Sequence, residues 1–240
     1  PELLPMIITI NLSTGARTMA RNKVIVKRLQ SIQNLGSMDV LCTDKTGTLT
    51  EGQLAVHSHV DVEGRESDRA MELAAVNSVF QASLRNPMDA AIVRHASMDL
   101  SSYAKIDEIP FDFTRRRMSV IVAKAGRRML ITKGAPEGVL EVCTGLELGA
   151  DGVDVREMTP ELKAAALDEF VRLSSDGYRA VAVAYRTIGN GREVYSISDE
   201  SNMTFVGYVS FIDPPKESTR EALEQAEALG VEIKILTGDN

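Results

Sequence analysis

Two short apolar segments near opposite ends of the chain place the strongest constraint on its fold. The first, Met38–Thr43, runs into the polar loop Asp44–Thr48, and the second, Glu232–Thr237, runs into Gly238 and Asp239. A short apolar run that ends in a polar, glycine-containing loop is typical of a buried strand in a parallel sheet. Ligands of such sheets bind beyond the carboxyl ends of the strands, so the two loops predict a binding site there.

The segment before the second strand predicts a β-α-β unit. Phe205–Ile212 has the pattern of a strand, Ser218 and Glu221 have the spacing of a capping box, and the helix is expected to end at about Leu229. Such a unit implies a parallel sheet with a right-handed crossover.

The middle of the chain predicts a different architecture. Helices are expected over 67–84, 87–99 and 160–175, together with a hairpin of Met118–Lys124 and Arg127–Thr132 and a strand at Arg179–Ile188. Consecutive strands joined by a tight turn indicate an antiparallel α+β domain. We therefore predict that a domain of residues 52–204 is inserted into a split parallel-sheet domain, 31–51 and 205–240, and that 1–30 form a connector.

The charge of the chain limits its partners. Among 240 residues, 27 Lys and Arg against 34 Asp and Glu give a net charge of −7, which argues against nucleic-acid binding. Residues 1–30 carry five basic side chains against Glu2, a net +4, and the basic cluster follows the apolar stretch Leu3–Leu12. This pattern is typical of the cytoplasmic end of a membrane helix, although a buried helix with a solvated basic end would share it. We interpret the chain, which begins with Pro1, as a fragment.

The residues with the clearest chemical potential surround Asp44. A carboxylate at the end of a strand can attack phosphorus and form an aspartyl phosphate. The backbone N–H groups of Lys45–Thr48 could cradle phosphate oxygens, with Gly47 permitting close approach. On the neighbouring loop, Thr237 could hydrogen-bond a phosphate oxygen and Asp239 could position Mg²⁺ or the nucleotide. The chain has neither a Walker A motif nor G-x-G-x-x-G, so P-loop and Rossmann folds have no support.

The seven residues Asp44–Thr50, D-K-T-G-T-L-T, resemble the phosphorylation signature of P-type ATPases. Further segments fall in the order of that family and extend the resemblance over nearly the whole chain: Pro1–Pro5, Lys133–Glu137, Asp213–Lys216 and Thr237–Asp239. The resemblance implies an α/β fold, in which an inserted α+β nucleotide-binding domain interrupts a haloacid-dehalogenase-like parallel-sheet domain that is incomplete at its carboxyl end.

The resemblance also implies roles for the Asp44 loop. Asp44 would be the phosphorylated nucleophile, Lys45 and Thr46 would contact the phosphate, and Asp44 would hold Mg²⁺ together with the carbonyl of Thr46. Thr237, Gly238 and Asp239 would complete the catalytic set. Related soluble phosphatases carry an aspartate two residues after the nucleophile as general acid and base. Thr46 cannot do that work, which implies a slowly hydrolysed intermediate.

In the inserted domain, the resemblance implies a nucleotide pocket. Phe113 would stack on adenine, Lys133 would line the pocket, Asp89 would lie on the base side and Arg179 would meet the phosphates; Gly134, Arg115 and Asp213 complete the predicted set. Each residue also has a structural alternative: core packing for Phe113, a turn for Lys133, a solvated strand end for Arg179 and a helix first-turn charge for Asp89. Which of Arg115, Arg116 and Arg117 contacts nucleotide stays open.

The implied function is that of the catalytic cytoplasmic part of an ATP-driven cation pump. Ile32–Asp39 and Ile106–Phe113 look most like bacterial magnesium-transporting members of the family; a calcium or proton pump, a soluble phosphatase of the same fold, or a nucleotide-binding module are alternatives. The implied cofactors are ATP and Mg²⁺. The implied partners are a cation bound by transmembrane helices that this chain lacks and an actuator domain, at the cytoplasmic face of a bacterial membrane.

His57 and His59 have the spacing of metal ligands. Neither has a Cys or His neighbour in the sequence that would complete a metal site. We therefore expect no metal at these two histidines.

Overall fold

The computed structural model describes residues 3–82, 86–149 and 154–236, and it divides the chain into two units. The large unit comprises residues 52–214, and the small unit comprises 1–51 and 215–240. The elements in chain order are α1 Leu3–Arg21, α2 Ser31–Leu35, β1 Val40–Asp44, β2 Ala55–Val60, α3 Asp68–Phe80, α4 Pro87–His95, β3 Tyr103–Asp112, β4 Arg117–Lys124, β5 Arg127–Gly134, α5 Pro136–Leu140, β6 Cys143–Leu148, β7 Asp154–Glu157, α6 Pro160–Ser175, β8 Arg179–Ile188, β9 Met203–Ile212, α7 Glu217–Ala228 and β10 Glu232–Leu236.

The large unit is built on one mixed sheet. Its strand order is β3-β4-β5-β8-β9-β6-β7, and β2 also pairs with β9. The β6–β9 pair is parallel, and the other pairs of this sheet are antiparallel. The predicted hairpin is confirmed as β4 and β5, because Ala125 and Gly126 both adopt positive φ, 49° and 76°, as a tight two-residue hairpin turn requires.

Helices cover both faces of this sheet. Alternate residues of β4 point in opposite directions: Val120 and Val122 join the cluster formed with α3 and α4, whereas Ile121 joins the cluster that contains residues of α5 and α6. The inner strands are therefore apolar on both faces, and this two-sided core fixes their register.

The helix starts follow the sequence signals, and the ends are less regular. Thr159 caps α6 at its predicted bounds, and Asn86 forms a full capping box with Asp89 at the start of α4. However, α4 ends at His95 rather than at 99. Helix α3 ends at Phe80, because Gln81 is already extended. The last two residues of its predicted span, 83 and 84, lie outside the described residues.

The prediction that Phe205–Ile212 belongs to the split domain is wrong. This segment is β9, an inner strand of the large sheet that pairs with β8, β2 and β6. Phe205, Tyr208 and Phe211 are fully buried there, and the predicted β-α-β unit with the last strand does not form. The boundary between the units lies after residue 214 rather than after residue 204. The reason is that β9 pairs with neighbouring strands along both of its edges, and all of those strands belong to the large sheet.

In the small unit, β1 and β10 form the predicted parallel pair, with Asp44 opposite Leu236. The prediction that both strands are buried is wrong, since their side chains are mostly exposed and α7 contributes no buried residue. Within the described residues no third strand joins this pair, so the structure contains two strands of the expected parallel domain. The capping box of Ser218 and Glu221 is also wrong, because α7 begins two residues earlier, after Lys216.

The apolar segment near the amino terminus forms α1. Pro5 falls in its first turn, where the missing N–H is tolerated. In the part of the chain that the structure describes, α1 and the other helices are all too short or too polar to cross a bilayer.

Candidate functional site

Asp44 is the last residue of β1 and its side chain is exposed. Its backbone is extended, and the chain then turns through Lys45–Leu49, closed by a hydrogen bond from the Thr50 N–H to the Lys45 carbonyl. Gly47 adopts φ +75°, a conformation that side chains disfavour, and the position of its absent Cβ is open space. The carboxylate therefore stands at an accessible strand end beside an open turn.

Contacts from two threonines and one lysine immobilise this turn. The buried Thr50 hydroxyl accepts a hydrogen bond from the Gly47 N–H at 3.1 Å and donates to the Lys45 carbonyl at 3.2 Å. The Lys216 ammonium donates to the Gly47 carbonyl at 2.7 Å, and the Thr219 hydroxyl donates to the Leu49 carbonyl. Fewer backbone N–H groups of this turn can therefore bind phosphate than predicted, because the Gly47 N–H already donates to the Thr50 hydroxyl.

Sequence reasoning missed the contacts of Lys216 and Thr219 with this loop. The available signal was the segment Asp213–Lys216, which resembles the family and ends at Lys216. Thr237, Gly238 and Asp239, the other predicted members of the site, lie outside the described residues. The register places Leu236, the residue before them, opposite Asp44. The Asp44 carboxylate and the Thr46 carbonyl are hard oxygen donors of the kind that Mg²⁺ prefers, so the chemistry of this donor set fits the ion.

The residues of the predicted nucleotide pocket gather at one end of the large sheet. The register aligns Asp112, Arg117, Gly134 and Ala182 across four neighbouring strands. Phe113 follows the end of β3, Lys133 and Gly134 end β5, Arg179 begins β8 opposite Phe211, and Asp213 follows β9. Residues that are up to 100 positions apart in the sequence therefore lie at this one end of the sheet, which we call the rim.

Lys133 and Asp89 form a buried ion pair on the α3–α4 side of this rim. The Lys133 ammonium donates to the Asp89 carboxylate and to the Ser78 hydroxyl, and the Ser78 hydroxyl also donates to Asp89 at 3.0 Å. Lys133 is 5% exposed and Asp89 is 1% exposed. Burial alone would raise the pKa of Asp89, but the charge of the Lys133 ammonium and the hydrogen bonds that the Asp89 carboxylate accepts together outweigh burial and lower that pKa. Lys133 therefore joins strand β5 to helix α4, and its charge faces the protein interior.

The three consecutive arginines differ sharply in their surroundings. Arg115 and Arg117 both donate to the buried carboxylate of Glu200, and Arg115 also donates to the Pro110 carbonyl. Arg116 has a side chain that is 57% exposed, with Glu137 at 3.7 Å. The guanidinium of Arg115, the predicted ligand, is therefore engaged within the protein, and Arg116 offers the accessible one.

Phe113, Gly134 and Asp213 have distinct structural settings. Phe113 is 89% exposed and meets Phe111 edge to face, with ring centroids 5.3 Å apart, so it is not a core residue. A Cβ on Gly134 would lie 2.4 Å from the Arg116 carbonyl oxygen, so this glycine allows the 115–117 turn to pack closely. The Asp213 carboxylate accepts a hydrogen bond from the Gly52 N–H at 2.9 Å, where the chain enters and leaves the large unit.

Comparison with known proteins identifies the family. Residues 37–218 match the family described as "P-type ATPase, cytoplasmic domain N". The chain belongs to the P-type ATPases. It is 45% identical to the magnesium-transporting ATPase, P-type 1, of Salmonella typhimurium and 42% identical to that of Escherichia coli, in both cases over 100% of this chain and 27% of the relative. It is 30% identical to calcium-transporting ATPase 1 of Lactococcus lactis, over 100% of this chain and 30% of that protein.

This P-type ATPase chain therefore spans about a quarter of the length of the magnesium-transporting relatives that it matches. The predicted family is confirmed. The family match covers the Asp44 turn and the whole of the large unit, including the rim where the pocket residues gather.

Breaking the Asp89–Lys133 pair is expected to destabilise the large unit strongly. Asp89→Asn or Lys133→Met each leaves one buried charge without its counter-ion, which costs about 3–5 kcal/mol of unfolding free energy. Urea unfolding followed by circular dichroism measures this cost. The double variant Asp89→Asn/Lys133→Met should lose much less unfolding free energy than the two single variants lose in total, since it leaves no buried charge.

The exposed pair of Arg156 and Asp154 provides the matched control. Asp154→Asn is expected to leave the urea midpoint unchanged. Additive losses in the double variant at 89 and 133 would contradict a direct pairing of those two charges.

Proposed function

We propose that this chain is the catalytic cytoplasmic part of an ATP-driven cation pump, in which Asp44 accepts the γ-phosphoryl group of ATP. The observation that carries the proposal is the exposed Asp44 carboxylate at the end of β1, beside a turn that Lys216 and Thr219 immobilise. A nucleophile in a fixed position is what phosphoryl transfer requires, because catalysis of that reaction depends on positioning and charge neutralisation.

The proposed reaction is an in-line displacement at phosphorus. A carboxylate oxygen of Asp44 forms a bond to the γ-phosphorus while the bond from that phosphorus to the bridging oxygen of ADP breaks, and ADP leaves with the electron pair. Mg²⁺, held by the Asp44 carboxylate and the Thr46 carbonyl, would neutralise charge on the phosphate oxygens. Lys45, directly after the nucleophile, adds a positive charge to the same turn.

The residue two positions after the nucleophile favours a pump over a phosphatase. Thr46 offers a hydroxyl, which is a poor base at neutral pH, so the turn itself supplies no side chain that would activate water for attack on the acyl phosphate. A long-lived intermediate suits a protein that must couple phosphorylation to ion movement. The same proposal places transmembrane helices and an actuator domain in the parent protein, with this chain at the cytoplasmic face of a bacterial membrane.

For the cargo we propose Mg²⁺. The names of the relatives with 42–45% identity support it, whereas the calcium-transporting relative is 30% identical. Transport of radioactive or fluorescently reported Mg²⁺ by the full-length parent in vesicles tests this part. Transport of Ca²⁺ without Mg²⁺ would contradict it and leave the phosphorylation chemistry intact.

For nucleotide binding we propose the rim of the large sheet. The exposed Phe113 ring would stack on adenine, and Arg179 and the accessible Arg116 would meet the phosphates. Arg116 replaces the initially predicted Arg115, because Glu200 and Pro110 engage Arg115. Lys133 and Asp89 would not face the nucleotide as predicted, because they are buried against each other; their ion pair would support the pocket from within. Gly134 and Asp213 would shape the backbone around the pocket.

Substitutions at Phe113 test the stacking role. Phe113→Ala is expected to weaken ATP binding by about 1–3 kcal/mol, the scale measured for base–aromatic stacking. Isothermal titration calorimetry of the 240-residue chain with ATP measures the loss. Phe113→Leu is the matched control, since it retains apolar volume and removes the π face; it should bind almost as weakly as the alanine variant. Wild-type affinity in both variants would overturn the assignment.

The proposed phosphorylation is tested in the full-length parent. Incubation with ATP labelled at the γ-phosphate should leave a protein-bound label that is stable in acid and released by hydroxylamine, as an acyl phosphate requires. A label that survives hydroxylamine would indicate a phosphate ester and contradict the proposal.

A further inference from the structure

One cluster of metal-ligating side chains lies in the large unit apart from the nucleotide rim residues. His59 on β2, Glu66 in the following turn and Asp68 at the start of α3 each offer a ligand atom, and these atoms all lie within 4.8 Å of one another. The chain folds back through residues 61–65, and an isolated bridge pairs Val60 with Glu66. Backbone pairing therefore fixes the approach of Glu66 to His59.

The cluster carries negative charge that the surrounding side chains do not neutralise. In the part of the chain that the structure describes, neither Glu66 nor Asp68 forms an ion pair. The two arginines that flank them are engaged elsewhere: Arg65 pairs with Asp61 and Glu63, and Arg69 pairs with Glu72 and lies 3.8 Å from Glu147. Two carboxylates that lack an ion-pair partner among the described residues favour a divalent cation by simple electrostatics.

A backbone carbonyl orients the histidine of the cluster. The Nδ1 atom of His59 lies 3.1 Å from the carbonyl oxygen of Ser67, so Nδ1 donates to that carbonyl and Nε2 is the ring nitrogen left for a metal ion. Metal-binding histidines almost always donate their second N–H to a carbonyl or carboxylate in this way. The ring of His95, at the end of α4, lies edge-on to His59 with centroids 5.9 Å apart, so a second imidazole stands beside the cluster.

We propose that His59, Glu66 and Asp68 bind a first-row transition-metal ion of the Zn²⁺ class. An imidazole with two carboxylates suits Zn²⁺ or Co²⁺, whereas Mg²⁺ prefers an all-oxygen shell. Ligands at about 2.0–2.2 Å from a tetrahedral Zn²⁺ lie about 3.4 Å apart, so binding draws the three ligand atoms together by at most about 1.4 Å. A water molecule completes the coordination.

The site would join strand β2 to the start of α3, two elements of the large unit. The sequence alone argued against metal at His59, because it offered no Cys or His neighbour. The proposed partners are instead carboxylates seven and nine residues away, which the turn after β2 brings back. This proposal is independent of the pump function.

Titration of the 240-residue chain with Zn²⁺ tests the site. Isothermal titration calorimetry should show one saturable site, and Co²⁺ should give the visible absorption of a four-coordinate complex. His59→Gln and Asp68→Asn should each weaken Zn²⁺ binding at least tenfold. His57→Gln is the matched control, because the His57 ring stacks on Tyr178 at 3.9 Å outside the cluster, and it should bind Zn²⁺ like the wild type.

Thermal unfolding separates lost ligation from lost structure. With a chelator present, the Asp68→Asn variant should melt at the wild-type temperature, since Asp68 is exposed and unpaired within the described residues. Added Zn²⁺ should raise the wild-type melting temperature and leave that of the variant unchanged. Equal Zn²⁺ affinity in wild type, His59→Gln and His57→Gln, or displacement of Zn²⁺ by excess Mg²⁺, would overturn the proposal.

Discussion

A piece of the chain comprising residues 52–214 should fold and unfold cooperatively, whereas a piece comprising 52–204 should not fold. The two pieces differ by ten residues, which include most of β9. This strand pairs with β8, β2 and β6, so its loss would leave three strands without their shared neighbour. It would also separate β6 and β7 from the rest of the sheet, because β9 is the strand that joins them to β8.

The packing energetics explain why this loss should be decisive. Phe205, Tyr208 and Phe211 are all fully buried, and the first belongs to the cluster on one face while the last belongs to the cluster on the other. Removing one buried phenylalanine side chain typically costs 3–5 kcal/mol, and a whole domain is stable by about 5–15 kcal/mol. Deleting two buried phenylalanines, one buried tyrosine and a ladder of hydrogen bonds therefore costs more free energy than the whole domain has in stability.

Circular dichroism and urea unfolding of the two purified pieces measure the difference. A third piece, 52–224, is the control for chain length, since its ten added residues belong to the small unit and should not raise the urea midpoint above that of 52–214. A cooperative transition of 52–204 with the midpoint of 52–214 would contradict the central role assigned to β9.

The sequence predicted local elements well where a specific residue sets a backbone conformation. Thr159 before Pro160 starts α6 at its predicted residue, and Ala125-Gly126 forms the hairpin turn. The prediction from sequence failed at β9. A helix and then β10 follow β9 in the chain, so the three segments together have the local pattern of a β-α-β unit. Pairing with strands that lie up to about 150 residues away decides the position of β9, and no local pattern reports such pairing.

The site shows the same division between local and distant information. Asp44 could be recognised because its motif is seven consecutive residues. The partners that shape the predicted pocket could not, since Glu200 lies 85 residues from Arg115 and Ser78 lies 55 residues from Lys133. Whether Arg115 or Arg116 is accessible depends on Glu200, so the sequence left that choice open.

The substitution Asp44→Asn should abolish phosphorylation of the full-length parent by ATP. An amide is not a nucleophile toward phosphorus under these conditions, so no acyl phosphate can form. The turn itself should survive, because the Asp44 carboxylate makes no hydrogen bond within the described residues and the contacts of Thr50, Lys216 and Thr219 remain. The variant should therefore lose the label and keep its affinity for ATP.

Asp39→Asn provides a matched control for this loss. Asp39 is exposed, lies just before β1 and contributes its backbone carbonyl to the Glu232 N–H, so the substitution changes charge near the strand and leaves the pairing intact. Labelling at the wild-type level in Asp39→Asn, with none in Asp44→Asn and equal ATP affinity in both, assigns the acceptor to Asp44. Hydroxylamine-sensitive label in the Asp44→Asn protein would place the acceptor on another carboxylate, and a parallel loss of ATP binding would show that Asp44 supports the fold or the nucleotide site instead of the chemistry.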